Sequence, residues 1–452
     1  MSGRVESKGR GVAGVRVSDG HSVVLTDADG LYSLVSDANT PFVWVSVPDG
    51  YRIPSSDART AHFYKQLAPN GDDAVVRFAL DEVPRAEKHA FFVLADPQTQ
   101  DDFEVNRLRS ETVPDIADTV KGLALDEVFG VSCGDIMFDE LSLYPRYQDA
   151  VRQMGIPFFQ VVGNHDLDQV STDEASVRTF SHYFGPRYYS FDRGEVHYVA
   201  LDDVFWFGGG YIGYLDADQL LWLERDLQTI ESGRTVVVFL HIPLLSTQFR
   251  RHGEPNPNRG TSVSNRDELY RLLEPFNAHV MSGHTHEQEH VYEGGVHEHV
   301  HGAVCGAWWS GDICFDGTPN GYGVYEVSGA EVTWRYKATG KSAEYQIRAY
   351  APGSDPSAPD EIVANVWGWD PQWSVYWYEE GERRGMMSRR IGTDPLSEKL
   401  HRGPGLPNHR PWVDPVSTGH LFYCPAPKGE ARVTIEAVDR WGRVFVADVH
   451  SV

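Results

Sequence analysis

Five short motifs constrain this chain more than anything else in it. Asp96-Pro97-Gln98, Gly134-Asp135, Gly163-Asn164-His165-Asp166, His241 and Gly283-His284-Thr285-His286 occur in that order, each after a short apolar run. Such runs, bounded by turn residues, read as buried strands, so each motif falls where a strand would end. Layered α/β proteins gather their sites there. Residues two apart in extended chain point the same way, which pairs Asp96 with Gln98 and His284 with His286. Gly134, Gly163 and Gly283 each precede a candidate ligand, and glycine permits tight turns and close backbone approach. Asp135 has two carboxylate oxygens with which to bridge two metal ions. Imidazole and carboxylate together suit Mn, Fe or Zn better than Ca. Taken singly the motifs say little. Asp-Pro-Gln is an ordinary turn or helix cap, Gly-Asp an ordinary loop, and a histidine after a strand is usually a hydrogen-bonded core residue. Gly-Asn-His-Asp and Gly-His-Thr-His are much more specific, and all five in one order make coincidence improbable.

The motifs lie inside the middle one of three blocks. Residues 1–83 read as short strands broken by Asp-Gly turns (GVRVSDG, HSVVLTDADG, FVWVSVPDG), a hairpin pattern that predicts a small β-sandwich. In residues 84–340 apolar strands (HAFFVLA, EVFGVSC, PFFQVV, VHYVALD, TVVVFL) alternate with helical stretches near 145–154, 172–184, 216–230 and 266–276. That alternation predicts an α/β layered domain. Residues 341–452 turn β-rich again after YAPGSDPSAPD, with RRIGTDPLSEKLHRGPGLPNHRPW as a long ordered loop.

Composition narrows the partners. A net charge of −25 over 452 residues repels nucleic-acid phosphates and anionic membranes, so no nucleic-acid polymer is expected. An anionic substrate then needs a local positive source, which bound metal ions supply. No run approaches the roughly 18 apolar residues of a membrane span. No apolar core of a signal peptide follows the N-terminus, so the chain reads as soluble and cytoplasmic, with export by a signal not present here as the alternative. The four cysteines form no CxxC pair. They read as buried thiols, with Cys305–Cys314 as the pair that could bridge in an oxidising compartment.

On these motifs the middle block resembles the calcineurin-like metallophosphoesterase superfamily. Its pattern D-x-H, GD, GNH(D/E), a lone H and GHxH reads here as DPQ, CGD, GNHD, HIP and GHTH. The whole chain resembles a bacterial three-part subgroup with an N-terminal transthyretin-like domain and a C-terminal β-domain, through GPRYYSFDRGEVHYVALDD, CGAWWSGD and DGTPNGY. The resemblance implies an α-β-β-α core and two divalent or trivalent metal ions (Mn, Fe, Zn or Mg). It implies hydrolysis of a small phosphomonoester or phosphodiester by a hydroxide bridging those ions. Residue by residue, it gives the first ion to Asp96, Gln98, Asp135 and His286, and the second to Asp135, Asn164, His241 and His284. His165 then faces the substrate as the acid for the leaving group, oriented by Asp166, unless Asp166 merely caps a turn. Gln98 departs from the pattern, since many members carry His there. A neutral amide oxygen is a weaker ligand, which puts the metal at that position in question.

Other residues carry less. Trp308 and Trp309 are candidates for a substrate floor, or for packing between domains. Arg250, with Arg187, Arg251 and Arg259, is available for phosphate contact, and the polar loop FRRHGEPNPNRG reads equally as a substrate-side lid or as plain surface. His297, His299 and His301 share one strand face, where hydrogen-bonded histidines are the simpler reading than a third metal site. The N-terminal block reads as a scaffold, and the Trp- and Tyr-rich C-terminal block as one wall of the site. Large flanking domains favour a diester. The competing reading is a carbohydrate- or surface-binding protein on an inactive phosphoesterase scaffold, motivated by Gln98 and the flanking β-domains.

Overall fold

Strands buried on both faces need apolar side chains at every position, and the run Lys88–Leu94 shows what that produces. In the computed structural model, which describes residues 1–36, 40–68, 75–402 and 409–449, Phe91 and Val93 point into one core while Ala90, Phe92 and Leu94 point into another. This strand is the centre of a five-stranded sheet ordered Phe158–Val161, Val128–Cys133, Lys88–Leu94, Gly321–Ser328, Glu331–Ala338. The first three strands are parallel and the last two antiparallel. A second sheet of six strands runs Tyr189–Arg193, Val196–Ala200, Thr235–Phe239, Asn277–Ser282, Val296–Val300, Glu289–Glu293. The sheets meet face to face through aromatic rings. Phe159 stacks on Phe191 at 4.0 Å between centroids, and Phe91 meets Phe239 edge-on at 5.8 Å. Helices cover the outer faces, giving the α-β-β-α layering.

The helices that the sequence pattern predicts are Tyr144–Met154, Ala217–Leu227, Arg266–Leu273 and the pair Asp173–Ser176 and Arg178–Phe184, which stands where one helix over 172–184 is expected. The pattern misses the helical stretch from Asp102 to Leu123. A wide turn over Leu108–Thr112 shifts its buried positions out of a 3.6-residue register, and Asp101 caps its start by accepting from the Glu104 amide at 2.9 Å. The predicted loop over 389–412 is also not all loop. It contains strand Ser388–Thr393 and helix Pro395–His401, and its residues 403–408 lie outside those described.

The two β-rich ends attach differently. The N-terminal strands form two four-stranded sheets, and one core runs unbroken from Val17, Val43 and Val45 through Trp44 into Trp222 and Leu223 of the middle block. Polar contacts fix that seam: Arg16 to Asp192 at 2.6 Å, the Trp222 indole N–H to Ser18 at 3.0 Å, and the Asp192 amide to the Val47 carbonyl at 2.9 Å. The C-terminal strands form two further four-stranded sheets with cores of their own, built on Ile362, Val375, Phe422 and Ile435 and, separately, on Tyr350, Val363 and Leu421. All four cysteines are buried free thiols, so Cys305 and Cys314 are not bridged.

Candidate metal centre

Five parallel strands end on one edge of the sandwich, and the loop after each delivers a candidate ligand. Lys88–Leu94 leads to Asp96 and Gln98, Val128–Cys133 to Asp135, Phe158–Val161 to Asn164, Thr235–Phe239 to His241, and Asn277–Ser282 to His284 and His286. The loops are packed tightly enough to dictate their glycines. Gly134 has φ of +78°, and a Cβ there would lie 2.4 Å from His241 Nδ1; at Gly163 a Cβ would lie 1.9 Å from the Asp135 amide nitrogen. Asp96, Gln98, Asp135, His284 and His286 themselves adopt φ between +37° and +67°. Non-glycine residues hold that conformation only where surrounding structure enforces it, and such strain gathers at functional sites.

The three histidines are aimed by backbone carbonyls. A carbonyl only accepts, so the ring nitrogen facing one carries the proton, and in the neutral ring the other nitrogen keeps its lone pair. His241 Nδ1 faces the Cys133 carbonyl at 2.9 Å, His286 Nδ1 faces that of Gly306 at 2.7 Å, and His284 Nε2 faces that of Gly260 at 2.7 Å. The free nitrogens converge. His241 Nε2 lies 3.0 Å from Asn164 Oδ1, 3.1 Å from His284 Nδ1 and 3.2 Å from Asp135 Oδ1. His286 Nε2 lies 3.6 Å from Asp96 Oδ1, an oxygen that is buried and has no hydrogen-bond donor among the described residues. Gln98 turns its NH₂ to Asp135 Oδ2 at 2.7 Å, and a half-turn of the amide presents its oxygen instead. An orphaned carboxylate oxygen beside inward-facing imidazole lone pairs is the arrangement a cation satisfies.

The electrostatics are divided: burial opposes charge on His241, but Asp135 outweighs it and raises that ring to about 10, so a cation bound there would displace a proton. Burial, reinforced by Asp135, raises the Asp96 carboxyl to about 8. Burial also opposes charge on Asp135, but His241 and His165 outweigh it and hold that carboxyl well below the usual range. Burial and then His241 push His284 down to about 3, and burial brings His286 to about 4, so both rings are neutral at neutral pH.

His165 is part-exposed at the rim. Its amide donates to Asp135 Oδ1 at 2.8 Å, and its Nδ1 pairs with Asp139 Oδ1 at 2.9 Å. The expected partner, Asp166, does something else. It is fully buried and accepts the amides of Ile136, Met137 and Gly163, each at 3.0 Å, together with the Tyr144 hydroxyl. Asp166 thus locks the loop carrying Asp135 to the loop carrying Asn164, and Asp139 orients the His165 ring. Nothing in the motif marks Asp139; its left-handed φ of 66° becomes visible only in the fold.

The weaker candidates divide. Trp308 stacks on His286 at 4.3 Å and also meets Trp412 at 4.7 Å, so it does line the site. Trp309 is buried and donates its indole N–H to the Pro97 carbonyl at 3.0 Å, which makes it support for the Asp96–Gln98 loop rather than floor. Arg250 pairs with Glu293 at 3.6 Å, away from the ligands. Arg187 is tied to Asp173, Asp202 and Asp216, and Arg251 to Glu287 and Glu289. The loop after His241 reaches the site through Gly260. Sequence reading missed Tyr211, edge-on to His284 at 5.8 Å, and Asp203, which accepts the His241 and Ile242 amides. It also missed Arg410, which lies over Phe138 at 4.9 Å and donates to Gln100 and the buried Glu104. A groove of about 940 Å³ between the N-terminal sheets and helix Arg178–Phe184 contains none of the seven ligands.

The fold and this edge define a class: layered α/β proteins that gather imidazole, carboxylate and amide ligands at parallel strand ends to hold catalytic metal ions. Within it the chain belongs to the calcineurin-like phosphoesterase family. Residues 90–288 match the model of the calcineurin-like phosphoesterase core, 1–83 that of its N-terminal region and 298–445 that of its C-terminal region. Among curated proteins it is similar to the serine/threonine-protein phosphatase CPPED1 of Danio rerio, 33% identical over 38% of this chain and 56% of that one. It is also similar to purple acid phosphatase 13 of Arabidopsis thaliana, 26% identical over 33% of this chain and 29% of that one. The chain spans about half the length of the CPPED1 relatives it matches. A solved dimetal phosphatase from Danio rerio aligns over 55% of this chain and 96% of its own, at 14% identity and a TM-score of 0.39. No helix among the described residues is long and apolar enough to cross a membrane.

Proposed function

We propose that this chain hydrolyses a phosphate ester at a binuclear metal centre. The observation that carries the proposal is the convergence of the lone pairs of His241, His284 and His286 on Asp96, Asp135 and Asn164, with Asp96 Oδ1 left without a donor. Asp96, Gln98, Asp135 and His286 would hold one ion, and Asp135, Asn164, His241 and His284 the other. Bound there, such ions offset phosphoryl charge and lower the pKa of water. The chain's own residues supply the rest. Asp139 holds the Nδ1 proton of His165, so Nε2 is the atom that gives a proton to the leaving oxygen. Burial works against a charged His165 and the Asp135 and Asp139 carboxylates favour it, for a net upward shift. Trp308, Trp412 and Tyr211 give the rim flat apolar faces, which favours a bulky or diester substrate over a small monoester. The mixed imidazole, carboxylate and amide ligands favour Mn, Fe or Zn.

Turnover of p-nitrophenyl phosphate and bis-p-nitrophenyl phosphate with added Mn²⁺, beside elemental analysis, tests this. Hydrolysis abolished by chelation is expected, faster for the diester. No turnover of either ester and no bound metal would overturn it. His165→Ala should lower kcat about 10²–10⁴-fold, the usual worth of a general acid, with metal content unchanged. Asp135→Ala should lose activity together with the metal of this centre.

A further inference from the structure

Strand Asn277–Ser282 carries the loop of His284 and His286, and a second group of histidines gathers on the same strand at its other end. The pairing of the six-stranded sheet builds this group. His279 lies opposite His297 on one side, and His290 lies opposite His299 on the other. All four therefore project from one face, toward Trp334 of the facing sheet. His279 is five residues before His284, roughly 15 Å away at the rise of a strand, so the two groups are separate.

Three of the four rings cluster at metal-ligand spacing, and His290 adjoins them through His297. His279 Nδ1 lies 3.1 Å from His299 Nε2, and His290 Nδ1 lies 3.2 Å from His297 Nε2. Ligand nitrogens of His279, His297 and His299 all fall within 4.8 Å of one another. Four nitrogens at about 2.0–2.1 Å from a tetrahedral ion stand about 3.3 Å apart, close to both observed contacts.

Proton accounting makes one of these nitrogens an acceptor without reference to any metal. The Ser282 carbonyl only accepts, so His301 Nδ1, 2.9 Å away, carries a proton. Neutral His301 then accepts at Nε2 from the Tyr325 hydroxyl at 2.8 Å. Having given its proton away, the Tyr325 oxygen accepts from His299 Nδ1 at 3.2 Å. His299 Nε2 is left with its lone pair aimed into the cluster. A ring nitrogen fixed by a partner on its far side is how proteins prepare an imidazole ligand. Burial, and then the proximity of other rings or of Arg440, holds His279 near 4, His290 near 3, His297 lower still, and His299 well below its ordinary value. Arg440 is the cation facing the group: it lies over Trp334 at 4.7 Å, bonds the Tyr292 hydroxyl and is paired with Asp370 at 3.1 Å.

We infer that His279, His290, His297 and His299 form a separate structural site for one late first-row divalent ion, zinc above all. Four imidazoles with no carboxylate select Zn, Cu, Ni or Co over Mg, Ca or Mn. His279, His297 and His299 are buried, so the ion ties the edge hairpin Glu289–Glu293 and Val296–Val300 to strand Asn277–Ser282.

The site is tested in the full-length Asp135→Ala chain, where the first centre lacks its shared carboxylate. After removal of loose metal, one equivalent of Zn²⁺ should remain by elemental analysis, and Co²⁺ in its place should give the strong visible absorption of a four-coordinate ion. Adding His297→Gln and His299→Gln should abolish both. A folded Asp135→Ala chain that retains no metal, or whose metal survives those substitutions, would refute the site. X-ray absorption at the zinc edge of the Asp135→Ala chain needs no change in the cluster, so it decides the matter even if the substituted cluster does not fold. An imidazole-only shell is expected, and carboxylate oxygen in the shell contradicts the assignment.

Discussion

The two β-rich ends of this chain are alike in forming pairs of four-stranded sheets and unlike in attachment. The N-terminal sheets share a continuous core with the catalytic block, through Trp44 against Trp222 at 6.3 Å and Tyr188 at 6.2 Å. The C-terminal sheets keep their own cores and send a loop to the metal edge, where Arg410 bonds Glu104 and Trp412 meets Trp308. A shared core makes one region answerable for stability. A loop that touches the site makes the other the region to test for an effect on substrate. The difference follows from burial: Trp44 is 3% exposed and Trp412 is 54% exposed.

Truncating the seam should have the largest effect. Trp44→Ala removes a large buried ring and should destabilise by about 3–5 kcal/mol, measured by denaturant unfolding, while kcat per folded molecule holds. A loss of kcat without loss of stability would reverse the assignment. Trp412→Ala should do the opposite. Aromatic contacts of this kind are worth about 0.5–1.5 kcal/mol, so kcat/KM should fall up to about tenfold with the melting temperature nearly unchanged. If melting moves and kinetics do not, the C-terminal loop is only packing.

The smallest effect concerns pH, at the polar part of the seam. His197 is buried between Asp192 at 2.9 Å and Asp226 at 2.8 Å. Burial disfavours its charge, but Asp226 and Asp192 outweigh that and raise it above 6.5. Its contribution is therefore whole below 6.5 and fades as pH climbs through the higher folded-state value. Burial likewise disfavours charge on Asp192, but His197, Arg16 and Arg234 hold that carboxyl well below 3.8. Its contribution is present above 3.8 and fades as pH falls through the lower folded-state value. The difference in melting temperature between the native chain and Asp192→Asn should be widest between these limits and should narrow on the alkaline side. A difference independent of pH would remove charge from the account of the seam.

The gathering of the candidate ligands on one edge is readable in the sequence because strand ends and residue types are both local properties. A short apolar run followed by Gly-Asp or Gly-His-Thr-His carries its own geometry, and Gly163 is needed where the Asp135 backbone passes. The N-terminal hairpins were readable for the same reason. The helical stretch from Asp102 to Leu123 was not, because its wide turn breaks the periodicity that a sequence pattern detects. Asp166 and Asp139 exchanged roles for a different reason. Adjacency to His165 suggested Asp166, but the chain turns that carboxylate inward to three amides, while Asp139, 26 residues from His165, reaches the ring across a loop.

The sequence by itself determined the candidate ligand types, their order and the strand ends that present them, since each depends on a few neighbouring residues. Only the tertiary structure decided which nitrogen of each histidine is free, because that is set by distant carbonyls: Cys133 for His241, Gly260 for His284, Gly306 for His286. It alone also joined His279 and His290 to His297 and His299, residues that cross-strand register brings together.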